Sequence, residues 1–341
     1  MRRRVEHMNQ VGRAVNCNLE TKLPNLRRVD VAASSPENDA LIAFYVGAAK
    51  SKATQRAYAS DLREFLATGG RIPASSDEIV RYLAVSSDLA LSTLKRRLAA
   101  LADAHATAGH PDPTKAPLVR TVLRGIARVH GAHVLSPLPL QSLDLVRTIT
   151  AIPTDLAGFR DKAVLLVGFA SALRRSELVG LDVDAINLTF NPARISIRQS
   201  KTDPFGQGQL VPLPRLNGSL CPVEALCAWM SAAKIERGPV FRSITRWGGV
   251  GDAALSAASV TLIVRKRALR AGVPLERLSA HSLRSGFAVS AVAAGMALPL
   301  IQGVTRHKTL GGVAAYVKMA GPPNATSMRA LIYGEPRVEQ T

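Results

Sequence analysis

The chain has 341 residues, 47% hydrophobic and 20% charged, which is enough for two domains with buried cores and excludes a disordered tail. Its 44 Lys and Arg against 25 Asp and Glu give a formal charge of +19 and a sequence pI near 10.7, pointing to a polyanion, DNA or RNA first, as partner. A merely basic soluble protein and a binder of anionic membranes are the blander readings of that charge. No stretch approaches the roughly 20 apolar residues of a membrane span, and Arg2, Arg3 and Arg4 have no apolar run behind them, so no secretory signal is read.

Cys17, Cys221 and Cys227 are odd in number and form no C-x-x-C pair, which fits free, buried thiols in a reducing compartment. The expected location is the cytoplasm, on the nucleoid.

Residues 1–34 carry scattered Arg and Lys without periodicity and read as a flexible basic arm, or simply as a loose terminus. From 35 to 130 the pattern is helical. Pro36 opens a run with Leu41, Ile42, Phe44 and Tyr45 on one side. Ser51 caps a second helix whose Tyr58, Leu62, Phe65 and Leu66 share an apolar face, ended by Gly69-Gly70.

A third helix spans 76–85. A fourth, 92–108, has Leu94, Leu98 and Leu101 inside and Lys95, Arg96 and Arg97 outside. A fifth, 118–129, sets Val119, Val122, Leu123 and Ile126 against Arg120, Arg124 and Arg128 at four-residue spacing, which places these arginines on one face. Such basic stripes suit phosphate contact, although a charged stripe is also what an ordinary solvated face looks like.

Residues 131–140, with Pro137 and Pro139, read as a linker. The second domain, 141–335, is mostly helical with a small antiparallel sheet, and 336–341 form a tail. Helices are expected at 143–149, 161–172, 222–234, 256–271, 281–294, 298–305 and 310–319. Strands are expected at 193–200 and 209–213 around a turn at 204–208.

No phosphate-binding loop motif occurs, and no metal constellation stands out. His105, His110, His130 and His133 lack partners at ligand spacing and read as surface or phosphate-contacting histidines. No cofactor is expected.

What remains is a basic set scattered over the second domain. Arg174 closes the buried helix in Ala-Leu-Arg-Arg-Ser-Glu-Leu, and Lys201 sits at the hairpin turn in Gln-Ser-Lys-Thr. His281 and Arg284 lie three apart in His-Ser-Leu-Arg, His307 in Thr-Arg-His-Lys-Thr, and Tyr316 in Ala-Ala-Tyr-Val-Lys. In this order the chain resembles the tyrosine recombinase (phage integrase) family. Its front domain, through Ser-Lys-Ala-Thr-Gln-Arg-Ala-Tyr (51–58) and Leu-Ser-Thr-Leu-Lys-Arg-Arg-Leu (91–98), resembles the helical core-binding (SAM-like) domain of Cre-like members.

The resemblance implies a mainly α protein that cleaves and rejoins DNA through a 3′-phosphotyrosine link and exchanges strands through a Holliday junction. Chemically, Arg174 and Arg284 supply permanent, planar donors to the non-bridging oxygens. Tyr316 is the nucleophile, aided by the arginine field or a base such as His281, and Lys201 is the general acid for the 5′-oxygen. His307 donates to the phosphate and braces Tyr316, and Glu177 orients an active-site histidine or arginine.

The implied DNA-contact residues are Lys52, Thr54, Arg56, Lys95, Arg96, Arg120, Arg124, Arg128 and Arg306. The implied partners are double-stranded recombination sites, a tetramer with two protomers per site, and accessory DNA-bending proteins. A C-terminal helix over 325–333 is expected to dock on a neighbour or on its own chain.

Each position keeps a plainer alternative. Arg174 would close a helix, Lys201 would be a solvated turn residue, His281 and Arg284 would pair locally, and His307 and Tyr316 would be core residues. At the level of function, a type IB topoisomerase and a DNA-binding regulator without activity stand as rivals. One departure from the family pattern is Thr-Arg-His at 305–307, where Leu-Gly-His is common.

Overall fold

In the computed structural model the helical signals of the first half resolve into α1 (Pro36–Ala48), α2 (Lys52–Ala67), α3 (Ser76–Val85), α4 (Leu91–Thr107) and α5 (Pro117–Val129). The structure describes residues 36–131, 137–197, 208–274 and 277–321. The basic arm, Lys201 and its turn, Cys17, His133 and the docking helix at 325–333 therefore lie outside the described residues. The chain divides into two compact units, with the boundary between residues 134 and 135.

In the first unit, Ser51 accepts the Thr54 N–H at the start of α2, and Ser75 and Glu78 form a reciprocal capping box on α3. The core is Phe65, Ile79, Leu83, Leu94, Leu101 and Val119, with Tyr82 edge-on to Phe65 at 5.0 Å.

The apolar side of α1 behaves differently: Ile42, Phe44 and Tyr45 are exposed. The run Lys95-Arg96-Arg97 is also not uniformly outward. Asp61 is buried and accepts from Arg96 Nη1 at 2.5 Å, while Arg97 folds inward to donate to the Tyr82 hydroxyl at 2.7 Å. His105 is not a surface histidine. It is fully buried, its Nδ1 meets the Leu101 carbonyl at 2.7 Å and its Nε2 accepts the Ala74 N–H at 2.8 Å, which fixes a neutral tautomer.

The second unit is built around α7 (Leu156–Ala170), buried from Ala163 to Gly168 and started by Asp155, whose side chain accepts the Gly158 N–H. Around it stand α6 (Ser142–Thr150), the short α8 (Arg175–Val179), α9 (Pro222–Ala232), α10 (Ala257–Arg270), α11 (His281–Ala293), α12 (Leu298–Thr305) and α13 (Gly311–Ala320). An antiparallel sheet runs in the order β1 (Ile186–Asn187), β2 (Ala193–Ile197), β3 (Gln209–Leu213), with Ile195 opposite Val211.

Alternation puts Ala193, Ile195 and Ile197 inside. A second hairpin, β4 (Arg242–Ile244) and β5 (Val250–Ala254), was not expected, because β4 has only three residues and Val-Gly-Asp-Ala-Ala of β5 does not alternate apolar with polar. Cys221 is buried, but Cys227 is exposed.

The end of the expected linker belongs to this unit. Leu140 is buried and its N–H donates to the Ser282 carbonyl at 2.9 Å. Gly286 of α11 makes room for that segment: a Cβ there would lie 1.9 Å from the Leu140 carbonyl oxygen.

Gly286→Ala is therefore expected to destabilise the second unit by about 3 kcal/mol, because the clash is with backbone. Gly303→Ala, with no atom within 4 Å of the added methyl, is expected to be neutral or slightly stabilising. Both tryptophans, Trp229 and Trp247, lie in this unit, so urea unfolding followed by tryptophan fluorescence reads it selectively. Equal midpoints for Gly286→Ala and the natural chain would contradict this packing.

Candidate active site

The site forms where α7 ends. Ser171 closes the helix, and Ala172 turns the chain through a left-handed conformation with φ 45°. Arg174 consequently does not end α7, as its position suggested, but is the residue that caps the start of α8.

Its own backbone N–H donates to Glu177 Oε2 at 2.8 Å and its Nη1 to Oε1 at 2.7 Å. Glu177 is buried and accepts a third bond, from Arg306 Nη2 at 2.5 Å. Burial works to raise the Glu177 pKa, but the Arg174 N–H and the two guanidiniums outweigh it and hold the carboxyl below the usual value. Glu177 thus orients arginines, not a histidine.

Arg284, on the first turn of α11, is almost fully buried. Its Nη1 donates to the Ala172 carbonyl at 2.6 Å and its Nη2 to the Thr305 carbonyl. Two turned carbonyls therefore aim this guanidinium. Desolvation and the neighbouring Arg174 and Arg306 charges lower its pKa to about 10, so it stays charged at neutral pH.

His281 opens the same helix, its N–H donating to the Ser279 hydroxyl. More than a third of its surface is open, yet protein around the ring desolvates it and the Arg284 and Arg174 charges add to this. Its pKa lies below the ordinary histidine value.

His307 follows α12 and stacks obliquely against Tyr316 of α13, with ring centroids 5.7 Å apart. Its Nδ1 lies 2.7 Å from the Thr305 hydroxyl, and that hydroxyl donates its one proton to the Ile301 carbonyl at 2.6 Å. The Thr305 oxygen must therefore accept from Nδ1–H, which leaves Nε2 bare in neutral His307.

Desolvation first, then the surrounding cations, lower the His307 pKa to about 4. The ring is thus neutral, with its proton on Nδ1. Gly312 lets the start of α13 pass this ring, since a Cβ there would approach His307 Cδ2 to 3.1 Å. Tyr316 is 7% exposed and packs with Val313, Ala288 and Ile301. Burial pushes its phenol above the ordinary pKa, with the charge and hydrogen bond of Arg284 acting against it.

The described residues bring Arg174, Glu177, His281, Arg284, His307 and Tyr316 together in one basic pocket. A cleft of about 500 Å³ beside His307 is lined in part by Gln209 and Leu210 of β3, the strand that follows the Lys201 segment.

Sequence reading missed Thr305, whose only signal was the replacement of leucine before the histidine, and misplaced Arg306. The Arg306 side chain is 6% exposed and points at Glu177, not outward to DNA. Among the described residues no cluster of three or more His, Cys, Asp or Glu is arranged to hold a metal, and no helix is long and apolar enough to cross a membrane.

Of the expected DNA-contact residues in the first unit, Lys52, Arg56, Lys95, Arg120, Arg124 and Arg128 are exposed. Thr54 is partly buried and bonded to Ser51, and Arg96 is engaged by Asp61.

Residues 140–321 match the model of the phage integrase family. An integrase/recombinase XerD homolog of Selenomonas ruminantium is 36% identical over 285 residues, covering 79% of this chain and 83% of that protein. Two solved structures share the fold at low identity. The Tn1549 transposon integrase in complex with transposon right end DNA is 14% identical with a TM-score of 0.58, covering 84% of this chain and 94% of its own. A lambda integrase tetramer bound to a Holliday junction is 15% identical with a TM-score of 0.57, covering 84% and 78%.

The pH response of this pocket is testable. The folded pKa of His307, about 4, lies below its ordinary 6.5, so the unfolded chain takes up the proton first as pH falls. Stability is expected to drop from about pH 6.5 to about 4 and to stop depending on this group below that. In urea unfolding at about pH 7, 5.5 and 4.5, His307→Gln should lose less stability on acidification than the natural chain. Parallel pH dependences in the two proteins would refute the assignment.

Proposed function

Since the chain belongs to the phage integrase family and is a tyrosine recombinase, an enzyme that cuts and rejoins DNA, we propose that Tyr316 is its nucleophile and that the pocket just described holds the scissile phosphate. The observation that carries this reading is the convergence of Arg174, Arg284, His281, His307 and Tyr316 from four separate helices and loops onto one site with surplus positive charge.

The Tyr316 oxygen attacks phosphorus, the bond from phosphorus to the 5′-oxygen breaks, and a 3′-phosphotyrosine link forms. Arg174 and Arg284 stabilise the charge that builds on the non-bridging oxygens; their carbonyl and carboxylate partners already fix their orientation, so little reorganisation is needed as the reaction proceeds. The phenol is protonated at neutral pH, and its proton passes to a neutral imidazole. His281 and His307 are both uncharged in the resting pocket, and an arriving phosphate raises their proton affinity.

The 5′-oxygen leaves as a hydroxyl with a proton from Lys201. Rejoining reverses these steps with the 5′-hydroxyl of the partner strand and needs no external energy, because the phosphotyrosine link retains that of the phosphodiester. Two protomers on each of two sites exchange strands in turn through a four-way junction; the structurally similar lambda integrase is seen as a tetramer bound to a Holliday junction. The exposed stripe Arg120, Arg124 and Arg128 on α5, with Lys52, Arg56 and Lys95, supplies sequence-independent grip on backbone phosphates.

The direct experiment uses a nicked suicide duplex cut from DNA flanking the protein's own gene. The natural chain is expected to give a slower, protein-linked band on a denaturing gel, and Tyr316→Phe none while still binding the duplex. A band of equal strength from Tyr316→Phe would overturn the choice of nucleophile.

A further inference from the structure

Arg306 occupies a backbone position that disfavours it. Its φ of 55° and ψ of 44° are left-handed, a region that glycine enters freely and that crowds the side chain of an L-residue. The chain accepts this strain and also buries a guanidinium.

The polar atoms around that guanidinium say where it is directed. Nη2 meets Glu177 Oε2 at 2.5 Å, Nη1 lies 3.2 Å from the Val304 carbonyl and 3.5 Å from that of Ser171, and Nε is buried without a partner. The Arg306 carbonyl in turn accepts from Arg174 Nη2 at 3.3 Å. Residue 306 therefore touches Arg174 twice, once through its own carbonyl and once through the carboxylate the two arginines share.

The charges in the pocket give this geometry a consequence. Glu177 brings one negative charge, and Arg174, Arg284 and Arg306 bring three positive charges. With glycine at 306, Glu177 would have Arg174 as its only guanidinium partner, and the two would largely neutralise each other. With arginine there, one carboxylate is divided between two guanidiniums.

We propose that Arg306 is a positioning residue that takes up part of the Glu177 charge and so leaves Arg174 with positive charge to direct at the scissile phosphate. This rests on the reading of the pocket as the phosphate site, and it acts through Glu177, not by contact with DNA.

The test needs no DNA. Thermal unfolding of the full chain, read by tryptophan fluorescence, is followed against inorganic phosphate at ionic strength matched with chloride. The proteins compared are the natural chain, Arg306→Gly and the double variant Glu177→Gln with Arg306→Gly. Glycine suits the backbone at 306, so the single variant keeps the local turn.

The phosphate concentration for half-maximal stabilisation is expected to rise about tenfold in Arg306→Gly and to return to within about threefold of the natural value in the double variant, because the offending carboxylate charge is gone. A mere strut at 306 would not be rescued by removing a charge at 177. An unchanged midpoint in Arg306→Gly, a double variant no better than the single one, or a natural chain that phosphate does not stabilise would each overturn the proposal. Should Arg306→Gly fail to fold, Arg306→Lys against Arg306→Gln makes the same comparison: the lysine variant is expected to hold the natural midpoint and the glutamine variant to lose it. Failure of the natural chain to form the Tyr316 adduct would instead count against the strand-cutting reading and leave this titration to be judged by its midpoints.

Discussion

Guanidinium groups are costly to bury unless something negative goes with them, and around this pocket one buried carboxylate, Glu177, meets that need, as Asp161 does for Arg267 elsewhere in the second unit. Glu177 accepts from the backbone and side chain of Arg174 and from Arg306, and those bonds hold it ionised against the pull of burial. Most of the local architecture serves that arrangement. The left-handed turn at Ala172 brings Arg174 to the start of α8 and points a carbonyl at Arg284. The left-handed turn at Arg306 brings a second guanidinium to Glu177 and a second carbonyl to Arg174. Such a pocket has one negative group and several fixed donors, so it favours a centre on which negative charge grows.

The same packing sets the protonation states. His307 is held neutral by desolvation and by the cations around it, and Thr305 determines which ring nitrogen keeps the proton. Tyr316 is buried and protonated, opposed only by Arg284. The protonation states of His307 and Tyr316 are therefore set by their surroundings, and negative charge brought close to them would favour a protonated imidazole.

Much of this was legible in the sequence, for identifiable reasons. The expected segments 76–85, 209–213 and 298–305 coincide with α3, β3 and α12, and the order of Arg, His-x-x-Arg, His and Tyr identified the family. One misreading has a local cause, an unmarked turn, and the others share a decisive partner that is distant in sequence. Arg174 was assigned to the end of α7 because Ala172, with no glycine or proline to mark it, makes the turn. Arg97 was placed outside until Tyr82 and the buried Asp61 claimed it. His105 looked solvent-facing until its two nitrogens were seen to join α4 to the Ala74 backbone. Arg306 read as a DNA contact because nothing local announces Glu177, 129 positions earlier.

The central claim is that this arginine-lined pocket activates one phenol, and the most direct measurement is to identify the atom joined to DNA. The covalent complex with a suicide duplex is digested with nuclease and protease, and the nucleotide-bearing peptide is sequenced by mass spectrometry. The account predicts a 3′-phosphorylated nucleotide on the peptide that contains Tyr316 and on no other. A nucleotide on Tyr333, on a serine, or linked through its 5′-phosphate would contradict it.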